Sequence, residues 1–145
     1  MKKTKFSVDI HAPAEKVWTA LWDDTTYREW NSVFSEGSHA ESDWNEGDKI
    51  SFLDGKGEGM FSTIAQKIPN EFMLFRHLGV VKNGKEEPLD EETKKWSGAE
   101  ESYTLKDTNG STNLAVEIDI TEDFEKYFSE TFPKALNKLK EIAEK

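Results

Sequence analysis

The stretch from Thr121 to Lys145 does most to limit how this chain can fold. Its apolar residues, Phe124, Tyr127, Phe128, Phe132, Ala135, Leu136, Leu139 and Ile142, recur at spacings of three and four, which sets them on one face of an amphipathic helix. The other faces are charged. Glu122, Asp123 and Glu125 crowd the first turns behind Thr121 as N-cap, while Lys134, Lys138, Lys140 and Lys145 load the end, an order that complements the helix dipole. A helix with a single apolar face needs a second layer to cover it. Pro133 falls in the interior. It has no amide for the bond to the fourth residue back, so the helix is expected to kink or split there at a local cost of roughly 3 kcal/mol.

The residues upstream supply that second layer. Phe6, Val8 and Ile10 alternate with polar residues as in a half-buried strand. After Pro13, which suits a first helical turn, Val17, Trp18, Leu21 and Trp22 form an apolar stripe on a short helix. Asp23-Asp24-Thr25 ends it and opens a second short helix through Trp30. From Gly37 the period becomes two, with strands expected over Ser38 to Trp44, Lys49 to Leu53, Met60 to Lys67, Phe72 to Leu78, Gly98 to Lys106 and Thr112 to Ile120. Asn45-Glu46-Gly47-Asp48 and Asn109-Gly110 read as turns between them. Phe72 to Leu78 is apolar on both faces, as a central strand would be. Val80 to Lys95 is too long for a hairpin loop and too charged for core, and connections of that kind are often functional.

The resulting order is strand, two short helices, about six antiparallel strands and a long helix, a helix-grip arrangement of the α+β class. A curved antiparallel sheet of six to seven strands is expected to wrap around a C-terminal helix kinked near Pro133. The details Ile10 to Trp18, Tyr27-Arg28-Glu29-Trp30, Trp96 to Leu105 and Phe132-Pro133-Lys134-Ala135-Leu136 resemble the START-like superfamily, also called SRPBCC. They are most similar to its bacterial branch homologous to the heat-shock-protein ATPase activators, the AHSA type. The likeness runs over essentially the whole of residues 1–145, which read as one domain. It implies a deep cavity between sheet and closing helix, often holding a lipid, polyketide, hormone or other apolar molecule. It also implies a second reading, a protein-interaction module that docks on a chaperone, and a third, an enzyme of cyclase, dehydratase or hydrolase type using a pocket carboxylate.

Charge and composition exclude several alternatives. With 19 Lys and Arg against 29 Asp and Glu, the net charge is −10, which repels phosphate backbones and anionic bilayers, so neither nucleic acid nor a membrane is an expected partner. The chain has no Cys, and with it no disulfide framework, thiol nucleophile or thiolate-bound metal. The basic N-terminus leads into an alternating strand rather than an apolar h-region, and no apolar run approaches the roughly 20 residues needed to span a bilayer. A cytoplasmic protein, monomeric or weakly dimeric, is the expectation.

His11, His39 and His77 are the histidines, with no HxH or HExxH spacing, so no metal is expected. Asp43, Asn45 and Asp48 lack the glycine and twelfth-position Glu of a calcium loop. No G-x-S-x-G elbow occurs, and Gly55, Gly57 and Gly59 fit neither dinucleotide nor P-loop patterns. No cofactor is expected. The pocket candidates are rings and apolar side chains from the second helix, the sheet, the long connection and the last helix: Trp30, Phe34, Phe52, Met60, Phe75, Trp96, Phe128 and Phe132, with Tyr103 and Val116 facing inward on their strands. Alternation carries Glu101 to the same face as Tyr103, as a polar anchor inside the pocket or at its exposed rim. It is the one candidate general acid or base, since a buried Glu has a raised pKa. Strand Phe72 to Leu78 must send either Arg76 or His77 inward, and His77 joins the pocket candidates. Trp18 and Trp22 read as core of the first helix, and the Val80 to Trp96 connection as a lid or a solvated insertion.

Overall fold

The computed structural model describes residues 1–145. Strand β1 (Lys2–Ile10) is followed by helices α1 (Ala14–Trp22) and α2 (Asp24–Asn31), then by strands β2 (His39–Glu41), β3 (Lys49–Leu53), β4 (Gly59–Ile68), β5 (Phe72–Lys82) and β6 (Lys85–Glu86). A single helical turn, α3 (Glu91–Lys94), precedes strands β7 (Glu100–Thr108) and β8 (Ser111–Ile120), and α4 (Glu122–Ala143) closes the chain. The strands form one antiparallel sheet in the order β1-β8-β7-β5-β4-β3-β2, with β6 paired to β5. The strand that is apolar on both faces, β5, sits in the middle of this order. The architecture is the helix-grip fold that the element order implies.

Alternation decides which face of the sheet is buried. On β8, Leu114, Val116, Ile118 and Ile120 are all buried, while Ala115, Glu117 and Asp119 between them are only half-buried. Phe132, Ala135, Leu136, Leu139 and Ala143 of α4 lie against this face, and Phe6 of β1 stacks on Phe132 with centroids 4.9 Å apart. The N-terminal half of α4 is less covered, leaving Phe124 and Tyr127 exposed at 52% and 43%. Pro133 does not split the helix, which runs through it without interruption. Both Pro133 and Ser129, whose carbonyl loses its usual amide partner, lie on the exposed side, so water can take the hydrogen bond the proline cannot supply.

Two local expectations need correction, and one irregularity of the sheet adds to them. The strand expected over Ser38 to Trp44 shrinks to His39–Glu41, because Trp44 adopts a left-handed φ of 64° and its amide donates to Ser42 Oγ at 3.0 Å. The Val80 to Lys95 stretch is not one loop. Strand β5 continues to Lys82 and reverses at Asn83 and Gly84, with φ of 53° and 74°, the left-handed pair of a type I′ hairpin, and β6 returns along it. The remainder carries α3, where the Thr93 amide donates to the Asp90 carboxylate at 2.8 Å as an N-cap bond. Finally, β4 and β5 slip register between Phe61 and Ser62, so that Ser62 faces His77 and Leu78 is left as a bulge. The bulge turns both His77 and Val80 toward the concave face.

Candidate functional site

Between the concave face of the sheet, α2 and the N-terminal half of α4 lies a cavity of about 590 Å³. Of its 29 lining residues, 18 are hydrophobic, so the walls are mainly apolar with a few placed polar groups. Trp30 and Phe34 come from α2 and the turn after it, Phe52 and Met60 from the β3–β4 hairpin, and Phe75 and His77 from β5. Trp96 follows α3, Glu101 and Tyr103 come from β7, and Phe128 and Phe132 from α4. All of these sequence candidates meet at the one cavity.

Val116 does not. Strand β8 reaches the cavity with Ile118 and Ile120, whereas Val116 stands two residues earlier in close-packed core, between Phe6 and Tyr103 in register. Conversely, Trp22 and Tyr27 line the cavity although helical spacing alone assigned Trp22 to the core. Trp22 sits at the hub of an aromatic cluster, its centroid 4.9 Å from Tyr103, 5.3 Å from Phe75 and 5.7 Å from Trp44. Its indole N–H is buried without an acceptor.

The polar groups form a chain that starts in sealed core and ends at the cavity. Ser62 is fully buried and does not line the cavity; its Oγ lies 2.7 Å from His77 Nδ1. His77 Nε2 lies 3.0 Å from Glu101 Oε1, and the Tyr103 hydroxyl donates to Glu101 Oε2 at 2.5 Å. The carboxylate can only accept, so the imidazole donates Nε2–H to it, and a neutral ring then takes the Ser62 hydroxyl proton at Nδ1. Of the two β5 side chains that could turn inward, it is His77 that does, while Arg76 pairs with Glu100 on the outer face at 2.8 Å. Glu101 is thus an inward group, its side chain 15% exposed, and not a rim residue.

Burial, with the charge of Glu101 second, holds the Tyr103 phenol well above its ordinary pKa, and the same two causes raise that of Tyr27. Both are therefore neutral hydroxyls at neutral pH. The Tyr27 hydroxyl has no hydrogen-bond partner within the chain. At the mouth, the backbone amides of Glu58 and Lys56 hold the Asp54 carboxyl below the usual range. The histidines are dispersed: His11 faces Ser111, His39 lies between Gly37 and Glu41, and His77 belongs to the buried chain. No three His, Asp or Glu side chains converge as a metal site would require.

This arrangement can enclose an apolar body and offer one carboxylate to its polar end. It is poorly built for acyl transfer. Ser62 has the neighbours of an activated serine but is closed off from the cavity, and a nucleophile must touch its substrate.

The sequence model for the family described as Activator of Hsp90 ATPase homolog 1-like protein matches residues 11–144. A comparison with curated proteins finds no match. Among solved structures, the Aha1 dimer from Colwellia psychrerythraea superposes with a TM-score of 0.75 at 20% identity, covering 99% of this chain and 97% of that one. A Mesorhizobium loti protein superposes with a TM-score of 0.73 at 16% identity, covering 97% and 96%. CalU16 from Micromonospora echinospora does so with 0.68 at 18% identity, covering 97% and 75%. At such identities the likeness is one of fold.

Proposed function

Since this chain belongs to the Activator of Hsp90 ATPase homolog 1-like family, whose model spans residues 11–144, we propose that it is a binding module holding one small amphipathic molecule between sheet and closing helix. The observation that carries this reading is the aromatic-walled cavity of about 590 Å³ with Glu101 at its wall. Small-molecule sites typically measure about 300–1,000 Å³ and combine apolar walls with a few polar groups. At about 24 cal/mol per Å³, leaving such a volume empty would cost on the order of 14 kcal/mol, as much as the whole stability of an ordinary domain. Water or a ligand must fill it. Rings from α2, β3, β5 and α4 grip the apolar body, and the carboxylate orients the polar end.

The family description suggests a second reading, docking on a protein partner, which the exposed Phe124 and Tyr127 would serve. Both side chains also border the cavity, so a container accounts for them as its mouth. A third reading, an enzyme of cyclase, dehydratase or hydrolase type, would use the Glu101 carboxylate as its general acid or base; a serine nucleophile has less support, because Ser62 does not border the cavity.

Native mass spectrometry of the protein purified from its own host tests the binding reading. A retained mass that disappears on organic extraction is the expected result. The apo mass alone, together with unchanged tryptophan fluorescence across a panel of amphiphiles, would overturn it.

A further inference from the structure

Resting on the container reading, we propose that the polar end of the ligand is a protonated amine, held by the Glu101 carboxylate and the Tyr27 hydroxyl. The first argument is charge. The charged residues bordering the cavity are Asp54, Glu58, Glu101 and Asp119, and its imidazoles are His39 and His77; neither Lys nor Arg borders it. Asp119 is paired with Lys3 on the outer face and Asp54 is held by backbone amides, but no Lys or Arg is paired with Glu101. His77 faces it at 3.0 Å as a hydrogen-bond donor, with Ser62 at its other ring nitrogen. A fatty-acid carboxylate would therefore enter a field of its own sign, on a chain whose net charge is −10.

The second argument is unused capacity. Each Glu101 oxygen accepts one hydrogen bond, from His77 or Tyr103, and a carboxylate has about four acceptor sites. Tyr27 lines the same cavity as Glu101, and burial keeps its hydroxyl neutral, able to donate and to accept. An ammonium brings donors and needs acceptors, and these two groups supply them. The third argument is the wall itself. Trp22, Trp30, Phe75 and Tyr103 line the same cavity as the carboxylate, and aromatic rings attract desolvated cations.

Tryptophan quenching with decylamine, decanol and decanoate, each below its micellar range at pH 7, tests the assignment. Decylamine is expected to bind at least about tenfold more tightly than decanol, a difference of about 1.4 kcal/mol, with decanoate weakest. In Glu101→Gln the amine-to-alcohol ratio should fall to about two or less, and Tyr27→Phe should lower it in part. Decanoate binding as well as the amine, or an amine preference that survives Glu101→Gln, would overturn the assignment while leaving the container reading intact. Failure of all three to bind overturns both. The wild-type ranking stands by itself should Glu101→Gln fail to fold.

Discussion

His77 and Glu101 approach to 3.0 Å from neighbouring strands β5 and β7, and that contact joins the sealed interior to the cavity. The same imidazole meets Ser62 at 2.7 Å, so the order serine, histidine, carboxylate is that of a hydrolytic relay with its access reversed. Here the serine is inside and the carboxylate faces the open volume. Such a chain satisfies both imidazole nitrogens and holds the carboxylate in place among apolar side chains. It orients a binding group rather than activating a nucleophile.

Ser62→Ala is accordingly expected to act on stability and tautomer. Removing the hydroxyl leaves Nδ1 as a buried acceptor without a donor, at a cost of about 1 kcal/mol, or a melting shift of roughly 2–4 °C. Nitrogen NMR should show His77 leaving its single Nε2–H tautomer. A variant as stable as the parent, with that tautomer retained, would show that the Ser62 bond contributes nothing.

Alkaline pH probes Tyr103 and Tyr27. Both phenols are raised by burial and by Glu101, so the folded chain keeps protons that the unfolded chain releases near pH 10. Their contribution is fully present below that pH and falls above it, by about 1.4 kcal/mol per pH unit for each group. Urea unfolding between pH 9 and 11 should show the decline, and Tyr103→Phe should reduce its slope. Absorbance at 295 nm should rise for these phenols only as the chain unfolds; ionisation of Tyr103 near pH 10 in the folded protein would contradict the buried geometry.

Gly59 is expected to tolerate no side chain. A Cβ there would lie 1.8 Å from the Phe52 carbonyl oxygen, a backbone atom, where β3 and β4 pair beside the cavity. At Gly79 the added carbon would meet the Phe61 ring at 2.6 Å, a side chain on the outer face that can turn. Gly59→Ala should cost about 3 kcal/mol and Gly79→Ala about 1–2, measured by urea midpoint. Equal costs would mean that the hairpin yields as easily as the ring does.

The elements with a long unbroken period were legible: α4, β8 and β3 declared themselves by spacing, and turn residues bounded them. The β6 hairpin was not, because Asn83-Gly84 is followed by a charged run, whereas the same dipeptide at Asn109-Gly110 is followed by the regular apolar alternation of Thr112 to Ile120. Alternation also reports which face a side chain takes, not what lies opposite. Val116 and Ile118 share a face, yet Val116 is enclosed in packed core while Ile118 borders the cavity. Ser62 gave no signal of its own. It becomes meaningful only through the bulge at Leu78, which sets it opposite His77, and bulges follow no local sequence rule strong enough to foresee.

Pro133 provides the sharpest test of how the closing helix is made. The residue is exposed, as is Ser129 one turn earlier, so substitution disturbs no core contact directly. Pro133→Ala restores an amide that can bond to the Ser129 carbonyl and removes the ring clash, a gain of up to about 3 kcal/mol. Freeing the unfolded chain offsets about 0.4–1 kcal/mol of this. The variant should therefore be more stable by about 1–2 kcal/mol, seen as a higher urea midpoint with an unchanged slope. Phe128 and Phe132 flank the cavity on the segment that leads into the proline, and stiffening that segment is expected to slow ligand exchange as well. A destabilised variant would mean that the proline imposes a backbone path that seating these two rings requires, so that the helix is shaped for the cavity at the expense of its own hydrogen bonding.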